Sequence, residues 1–240
     1  RHPTELGLAE VQQFLSHLAV ERKLSAATQQ QALSALLFLY RNVVGRPLEG
    51  LGRIPRGRVP TTLPVVLTPA EVARVLGSLR GTHRLIGLLL YGGGLRLIEC
   101  LTLRVKDLDL ERGEVVVRRG KGGKDRVTLI PETARGPLRE HLRHVKVLHD
   151  GDLVDGRGRV ELPEGLASKY PKAAAAWSWQ WVFPARRTYR DSETGLIRRH
   201  PLHESVMQRA MAAAVRASGI GKRASCHTLR HSFATHLLEA

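Results

Sequence analysis

The feature that most constrains this fold is an almost wholly apolar run from Thr82 to Tyr91, which three glycines, Gly92–Gly94, follow at once. A helix that is apolar on nearly every face has to be buried on nearly every face. The glycines end this helix, and a further helix begins near Arg96 and directs Ile98 and Leu101 inward. Other elements must therefore enclose the apolar run as the centre of a hydrophobic core.

The flanking sequence predicts more helices and one small sheet. Residues Thr68–Glu71 have the pattern of a capped helix start, with proline at the first helical position and glutamate at the capping-box position. Residues 113–119 (GEVVVRR) and 126–131 (RVTLIP) are β-rich and are separated by the glycine-rich segment 120–125, which predicts a hairpin. Three further helices are predicted, over about 132–149, over 204–217 and from about 228. The predicted fold class is mainly α with a small antiparallel β-sheet.

The amino-terminal part predicts a separate helical unit. Apolar residues recur at helical spacing within residues 5–20, and a second helix follows the turn at Ser25. The next segment, Gly45–Pro64, is rich in glycine, proline and arginine, which is typical of a basic linker. Its residues Arg46 and Arg56 are candidate contacts to a nucleic-acid backbone, and the alternative is a solvated loop.

The composition indicates a polyanionic partner. Lysine and arginine number 38 against 22 aspartate and glutamate, a net charge of +16, which favours nucleic acid over a merely soluble basic protein. The two cysteines, Cys100 and Cys226, provide neither a disulfide framework nor zinc-ligand spacing, so we expect a reducing cytoplasm. No apolar run approaches the ~20 residues of a membrane span. Since the chain starts at Arg1 and ends inside a helical pattern at Ala240, we expect a fragment of a longer protein.

A set of cationic side chains is suited to a phosphate group. The segment 227–239 (HTLRHSFATHLLE) places His227 and Arg230 three residues apart at a predicted helix start. They share a helix face, and backbone N–H groups there add partial positive charge. Arg96 and the hairpin tip Lys121–Lys124 extend the set. Each feature also has an ordinary explanation, as an ion pair, a turn or a helix cap.

Other kinds of site fit less well. Both glycine-rich segments lack the Gly-Lys-Ser/Thr ending of a P-loop. The spacing of His227 and His231 matches a zinc-protease helix, but Thr228 stands where the general-base glutamate is needed. No carboxylate cluster suited to Mg²⁺ is evident, so protein charge would have to stabilise a phosphorane. Arginines would bind its oxygens, a lysine would protonate the leaving oxygen and a histidine would move protons.

Three ordered blocks resemble the signature blocks of the tyrosine recombinases, namely GGGLRLIECLTLRVKDLDL (92–110), GKGGKDRVTLIP (120–131) and HTLRHSFATHLLEA (227–240). The resemblance implies that Arg96 is the family's first arginine and Lys121 its hairpin lysine. It implies that His227 and Arg230 are the His-x-x-Arg pair. It also implies DNA transesterification through a 3′-phosphotyrosyl intermediate, without a metal or nucleotide cofactor.

The resemblance further implies an organisation and an assembly. Residues 1–60 would be the helical core-binding (SAM-like) domain with a basic linker, and residues 61–240 the α+β catalytic domain. The intact protein would act as a homotetramer on two DNA sites, with no membrane association.

The aperiodic insertion at about 150–200 is similar to that of the integron integrases. Its KYP, WxWQWVFP and RRHPLHES elements carry this similarity, as do residues 14–40. In that subgroup the insertion binds extrahelical bases of a folded single-stranded cassette site, where stacking on an aromatic ring stabilises a base by about 1–3 kcal/mol. The candidate DNA-binding residues besides Arg46 and Arg56 are Lys124, Arg126, Trp179 and His200. Trp177 and Trp181 are assigned to the core, and packing is the alternative for Trp179; Pro201 departs from the subgroup's pattern.

The family's tyrosine nucleophile would follow Arg230. All four tyrosines of the chain precede it, namely Tyr40, Tyr91, Tyr170 and Tyr189. We therefore expect these 240 residues to bind DNA without cleaving it. A non-catalytic DNA-binding relative and a phage-type or Xer-type recombinase remain the alternatives.

Overall fold

The computed structural model describes residues 2–48, 63–118, 123–163 and 165–239. They fall into two compact units, Arg1–Leu63 and Pro64–Ala240. The described residues are mostly helical with two small antiparallel sheets, which confirms the predicted fold class. Among them, no helix has both the length and the apolar character that a membrane span requires.

The first unit is a pair of helices, α1 (Leu8–Val20) and α2 (Ala26–Phe38). Ser25 caps α2, because its hydroxyl accepts a hydrogen bond from the Thr28 backbone N–H at 3.2 Å. A short π-helical turn, Leu39–Val43, continues α2. The buried core of this unit consists of Val11, Leu15, Leu33 and Tyr40. The Tyr40 hydroxyl donates to main-chain carbonyls of the turn that precedes α1, so the small core is tied to the start of the chain.

The second unit is built around the apolar helix that the sequence predicted. Its helices are α3 (Pro69–Ser78), α4 (Gly81–Gly92), α5 (Leu97–Leu101), α6 (Glu132–Val154), α7 (Leu166–Lys169), α8 (Glu204–Ala217) and α9 (Cys226–Glu239). Ile86, Leu89 and Leu90 of α4 have no exposed surface. The predicted capping box begins α3, with reciprocal hydrogen bonds of 2.8 and 3.2 Å between Thr68 and Glu71.

The first sheet contains the predicted hairpin and one additional short strand. Its strands are β1 (Leu108–Asp109), β2 (Glu114–Val117) and β3 (Arg126–Leu129), in that order and antiparallel. In the β2–β3 pairing Val117 lies opposite Arg126. The hairpin therefore brings Arg126 to the end of the sheet next to the lysine-bearing tip.

The insertion region has more structure than its sequence indicated. After α7 and two short 3₁₀ turns, strands β4 (Pro184–Arg190) and β5 (Ile197–Pro201) form a second antiparallel hairpin. Arg199 of β5 forms a buried ion pair with Asp152 of α6, with Nη2 and Oδ2 2.5 Å apart. This pair anchors the hairpin to the last turns of α6, which extends beyond its predicted end near His149.

One inward-facing residue was predicted wrongly. Leu101 is buried as expected, but 52% of Ile98 is exposed. Helix α5 has only five residues, so it buries a single narrow stripe, and Ile98 instead lines a surface groove with the second hairpin.

The glycines after α4 allow two other elements to approach closely. A Cβ atom on Gly92 would overlap the ring of Pro131, which directly precedes α6. A Cβ atom on Gly94 would lie 2.5 Å from the Phe233 ring of α9, and the positive φ of Gly94 (+59°) also disfavours a side chain. These glycines thus set the spacing between α4, α6 and α9.

Candidate active site

The carboxylate of Glu99 is the centre of the predicted cationic site. Arg96 is the residue that precedes α5, and its backbone N–H and Nη1 donate to the two Glu99 oxygens at 2.8 and 2.7 Å. Arg126 donates from Nη1 and Nη2 to the same two oxygens at 2.9 and 2.6 Å. The Glu99 side chain is 11% exposed. One nearly buried carboxylate therefore holds two arginines from different elements.

Arg230 of α9 completes this arrangement. Its Nη1 donates to the main-chain carbonyl of Gly94 and lies 3.8 Å from Oε2 of Glu99. Three guanidinium groups thus surround one carboxylate, which leaves a local charge of +2 among Arg96, Arg126 and Arg230. Their side chains are between 26% and 36% exposed, so solvent and a ligand can reach them.

The pKa values of the cluster reflect its excess of positive charge. Burial alone would raise the pKa of Glu99, but the hydrogen bonds from Arg126 and Arg96 outweigh it and lower the pKa to about 2. The hydrogen bond with Glu99 raises the pKa of Arg126. Burial, and then repulsion from Arg96, lowers the pKa of Arg230. An anion arriving among these groups would relieve that repulsion.

His227 lies in the first turn of α9, one turn before Arg230. The imidazole is exposed and meets the His231 ring edge-on, with the ring centroids 4.3 Å apart. Burial lowers the pKa of His227 first, and His231, Arg230 and Arg96 lower it further. The histidine thus lies in the electrostatic field of both predicted arginines.

Buried polar contacts hold α9 in place. The Ser232 hydroxyl, which is fully buried, accepts a hydrogen bond from the Leu67 backbone N–H at 2.9 Å. Near the other end of the helix, the Tyr91 hydroxyl and Nδ1 of His236 lie 2.9 Å apart. The backbone that carries His227 and Arg230 is therefore fixed to both α4 and the segment before α3.

The remaining predicted contacts have different settings. Lys121 and Arg56 lie outside the described residues. Lys124, just before β3, is exposed, and Arg46 is exposed in the first unit. Arg126 is partly exposed, but both of its terminal nitrogens are engaged by Glu99. DNA contact by Lys124, Arg126 and Arg46 stays a prediction.

The two aromatic candidates of the insertion already have a neighbouring group against the ring, a cation for Trp179 and an aromatic ring for His200. Trp179 is half-buried, and the Lys106 ammonium lies 4.2 Å from its ring centroid. His200 is exposed on one side and stacks on Tyr189, with the centroids 3.6 Å apart and the rings parallel within 1°. The His200–Tyr189 pair lines a groove of about 570 Å³ together with Ile98 of α5. Trp181 is buried, as the sequence predicted.

Sequence reasoning did not find the bond between Arg126 and Glu99. The pairing of Arg96 with Glu99 was visible as an i, i+3 spacing, whereas Arg126 is 27 residues away and on another element. Only the β2–β3 register and the position of α5 bring the two side chains together.

Comparison with protein families identifies the family of this chain. The model of the phage integrase family matches residues 66–240, and the model of its N-terminal SAM-like domain matches residues 1–50. The chain belongs to the phage integrase family of tyrosine recombinases. The family predicted from the three sequence blocks is thus confirmed.

Relatives with known names agree with this assignment. An integrase/recombinase of Escherichia coli is 50% identical over 240 residues, which cover all of this chain and 71% of that relative. The tyrosine recombinase XerA of Thermococcus kodakarensis is 33% identical over 242 residues, which cover 98% of this chain and 69% of XerA. The assignment to the integron integrases stays a prediction.

Solved structures show the same fold at lower identity. The Tn1549 transposon integrase in complex with transposon right-end DNA has a TM-score of 0.60 at 17% identity, with coverage of 98% of this chain and 73% of that one. The XerH site-specific recombinase bound to its difH substrate has a TM-score of 0.59 at 21% identity, with coverage of 98% and 60%. Both of these neighbours are complexes with DNA.

Proposed function

We propose that this tyrosine recombinase binds a scissile DNA phosphate with Arg96, Lys121, His227 and Arg230. The observation that carries the proposal is the excess of guanidinium groups around Glu99. A structural ion-pair network balances its charges, whereas this one keeps two positive charges unneutralised and partly exposed. A phosphodiester supplies the missing negative charge and accepts bidentate hydrogen bonds from arginine.

The proposed reaction is a transesterification in which the protein groups stabilise charge. The oxygen of a tyrosine attacks phosphorus, the bond to the 5′ oxygen breaks, and a 3′-phosphotyrosyl bond forms. Arg96 and Arg230 bind the non-bridging oxygens as negative charge develops on them. Lys121 donates a proton to the departing 5′ oxygen. His227, whose lowered pKa favours the neutral imidazole, can accept and return a proton near neutral pH.

We further propose that the substrate is an integron attachment site, including folded single-stranded cassette sites. The structural support is the second hairpin, where the exposed His200 and its stacked partner Tyr189 border an open, largely apolar groove. An unpaired base could lie against the exposed face of this pair, as stacking platforms for single strands require. Trp179 is less available, because Lys106 and Arg104 lie against its ring.

The 240 residues by themselves would bind DNA and leave it uncut. None of the four tyrosines lies after Arg230 in the sequence. Tyr40 lies in the core of the first unit, and the Tyr91 hydroxyl is hydrogen-bonded to His236. We propose that the natural protein acts as a homotetramer on two sites.

Binding and cleavage assays test these proposals separately. We expect salt-sensitive binding to attachment-site DNA, with Arg96→Gln or Arg230→Gln weakening it about tenfold or more. If both single variants bind DNA as tightly as the wild-type chain, the proposed phosphate site is refuted. A nicked suicide substrate should give no covalent adduct with these 240 residues, and an adduct would contradict the proposed lack of cleavage.

A recombinase of Xer or phage type is the second candidate, supported by the identity with XerA. Competition between a folded bottom-strand hairpin and a duplex of the same sequence separates the two candidates. Preference for the hairpin that is lost in His200→Ala supports the integron substrate. Preference for the duplex, unchanged by His200→Ala, supports the Xer or phage type. A non-catalytic relative is distinguished by the absence of recombination between two attachment sites in cells that express the natural gene.

A further inference from the structure

We propose that Arg126 is a positioning residue that acts on the phosphate site through Glu99 and makes no contact with DNA. The inference rests on the proposed function, because it assigns a role within the same site. It replaces the expectation from sequence that Arg126 binds DNA directly.

The geometry of the Arg126 fork is that of an internal ion pair. Its two terminal nitrogens reach different oxygens of one carboxylate, at 2.9 and 2.6 Å. This bidentate arrangement fixes the orientation of both planes, which a lysine ammonium cannot do. The carboxylate that it orients is 11% exposed and so largely shielded from water, although the Arg126 side chain itself is 33% exposed.

Glu99 passes this orientation on to the arginines of the site. The same two oxygens accept the Arg96 side chain and the Arg96 backbone N–H, and Oε2 lies 3.8 Å from Arg230. A rotation of the Glu99 carboxylate would break the contacts with Arg96 and alter the field at Arg230. Arg126, on β3, opposes such a rotation because it donates to both oxygens of the carboxylate.

The position of Arg126 in the chain gives the pair a second effect. Arg126 is the first residue of β3, directly after the segment that carries Lys121 and Lys124. The pair with Glu99 therefore ties the base of the lysine-bearing hairpin to α5, where Arg96 is held. One ion pair therefore connects the first residue of β3 to the helix that follows Arg96.

Substitutions that separate charge from geometry test this role. Arg126→Lys keeps the charge and loses the fork, and Arg126→Gln loses both. For a positioning residue we expect both variants to bind attachment-site DNA about tenfold more weakly, with an unchanged dependence on salt. In a Glu99→Gln background the additional loss should fall below about twofold, since the acceptor is already gone.

A direct DNA contact gives the opposite pattern and would overturn the proposal. Arg126→Lys would then bind nearly as well as the wild-type chain. Arg126→Gln would reduce the salt dependence by about one phosphate contact, and this loss would persist in the Glu99→Gln background. The matched control is Arg112→Gln, which removes the same charge from an arginine that is 76% exposed and 3.8 Å from its partner Asp109. It should leave affinity nearly unchanged.

A readout without DNA keeps the two proposals distinguishable. In protein labelled with ¹⁵N-arginine, the Nε–Hε resonances of Arg96 and Arg230 should shift in Arg126→Lys and stay in place in Arg112→Gln. Shifted resonances in a chain that fails to bind DNA would refute the proposed function and support the positioning role. Unshifted resonances would refute the positioning role, whatever the affinity for DNA.

Discussion

Two sets of arginines in the second unit occupy contrasting settings. In the insertion, Arg199 is 9% exposed and paired with Asp152, and its Nη1 donates to two main-chain carbonyls. Around Glu99, three arginines share one carboxylate and remain partly exposed. Balanced, buried charge stabilises the fold, whereas excess positive charge within reach of solvent is suited to the anionic ligand that we propose. The free energy of unfolding should therefore respond to the first setting, and DNA affinity to the second.

The largest loss of stability is expected for Arg199→Ala. It leaves the buried Asp152 carboxylate with only the more distant Arg157, whose Nε is 3.9 Å away, and losing the close partner of a buried ion pair typically costs about 3–5 kcal/mol. Urea unfolding of the wild-type chain and the variant measures it. The neighbouring Arg198→Ala breaks a less buried pair with Asp191 and should destabilise the fold much less. Equal losses of unfolding free energy in the two variants would contradict the special role given to the buried pair.

Acid should remove the contribution of Glu99 to stability. The pKa of Glu99 is lowered in the folded chain from 4.5 to about 2, so its ionised form stabilises the fold above pH 4.5. The full shift corresponds to about 3 kcal/mol, which solvent screening at this partly open site reduces to the order of 2 kcal/mol. This contribution is lost as the pH falls from about 4.5 to 2. The difference in unfolding free energy between wild type and Glu99→Gln should shrink over this range. A difference that does not change with pH would contradict the lowered pKa.

A smaller effect is expected for Lys106→Ala. The Lys106 ammonium lies over the Trp179 ring, a contact that contributes about 0.5–1 kcal/mol. It also lies 3.5 Å from the Asp107 carboxylate, which keeps Arg118 as a closer partner in the variant. Thermal or urea unfolding measures the loss, and Lys169→Ala, whose ammonium is 5.6 Å from the Tyr170 ring, is the control. If Lys106→Ala were as stable as the wild-type chain, Trp179 would be freer to stack on a base than its contacts indicate.

The smallest effect on stability, and a large one on binding, is expected for Arg230→Gln. The variant loses the hydrogen bond to the Gly94 carbonyl but relieves the repulsion between Arg230 and Arg96, so the net change in the free energy of unfolding should be no more than about 0.5 kcal/mol. The affinity for DNA should nevertheless fall about tenfold or more. Arg216→Gln, an exposed arginine at the end of α8, is the charge-matched control. A loss of stability as large as that of Arg199→Ala would show that Arg230 mainly stabilises the fold, as Arg199 does.

Local patterns predicted the elements that depend on neighbouring residues. The capping box at Thr68, the apolar α4 and the β2–β3 hairpin follow from spacing and turn chemistry, and each is found as expected. The second hairpin was missed, because β4 and β5 are rich in arginine and show no clear alternation of apolar and polar residues. A buried ion pair with α6 holds this hairpin in place, and no local rule reveals such a partner.

The same limit applies to the site. Arg96, His227 and Arg230 were identified from their motifs, and the structure places all three in one electrostatic environment. The partner of Arg126 depends on strand register and on the placement of α5, both of which are set by tertiary packing. For Trp179, the sequence left both base stacking and packing open, and the cations against its ring became visible only in the fold.

The close packing at Gly92 and Gly94 limits how a chain of this kind can diversify. A methyl group at either position would press on Pro131 or on Phe233, and hence on the start of α6 or on the helix that carries His227 and Arg230. Variants that gain a side chain there would need compensating changes in a distant segment at the same time. In a library randomised across 92–94, functional clones should thus retain glycine at both positions, even though neither glycine has a side chain to contribute.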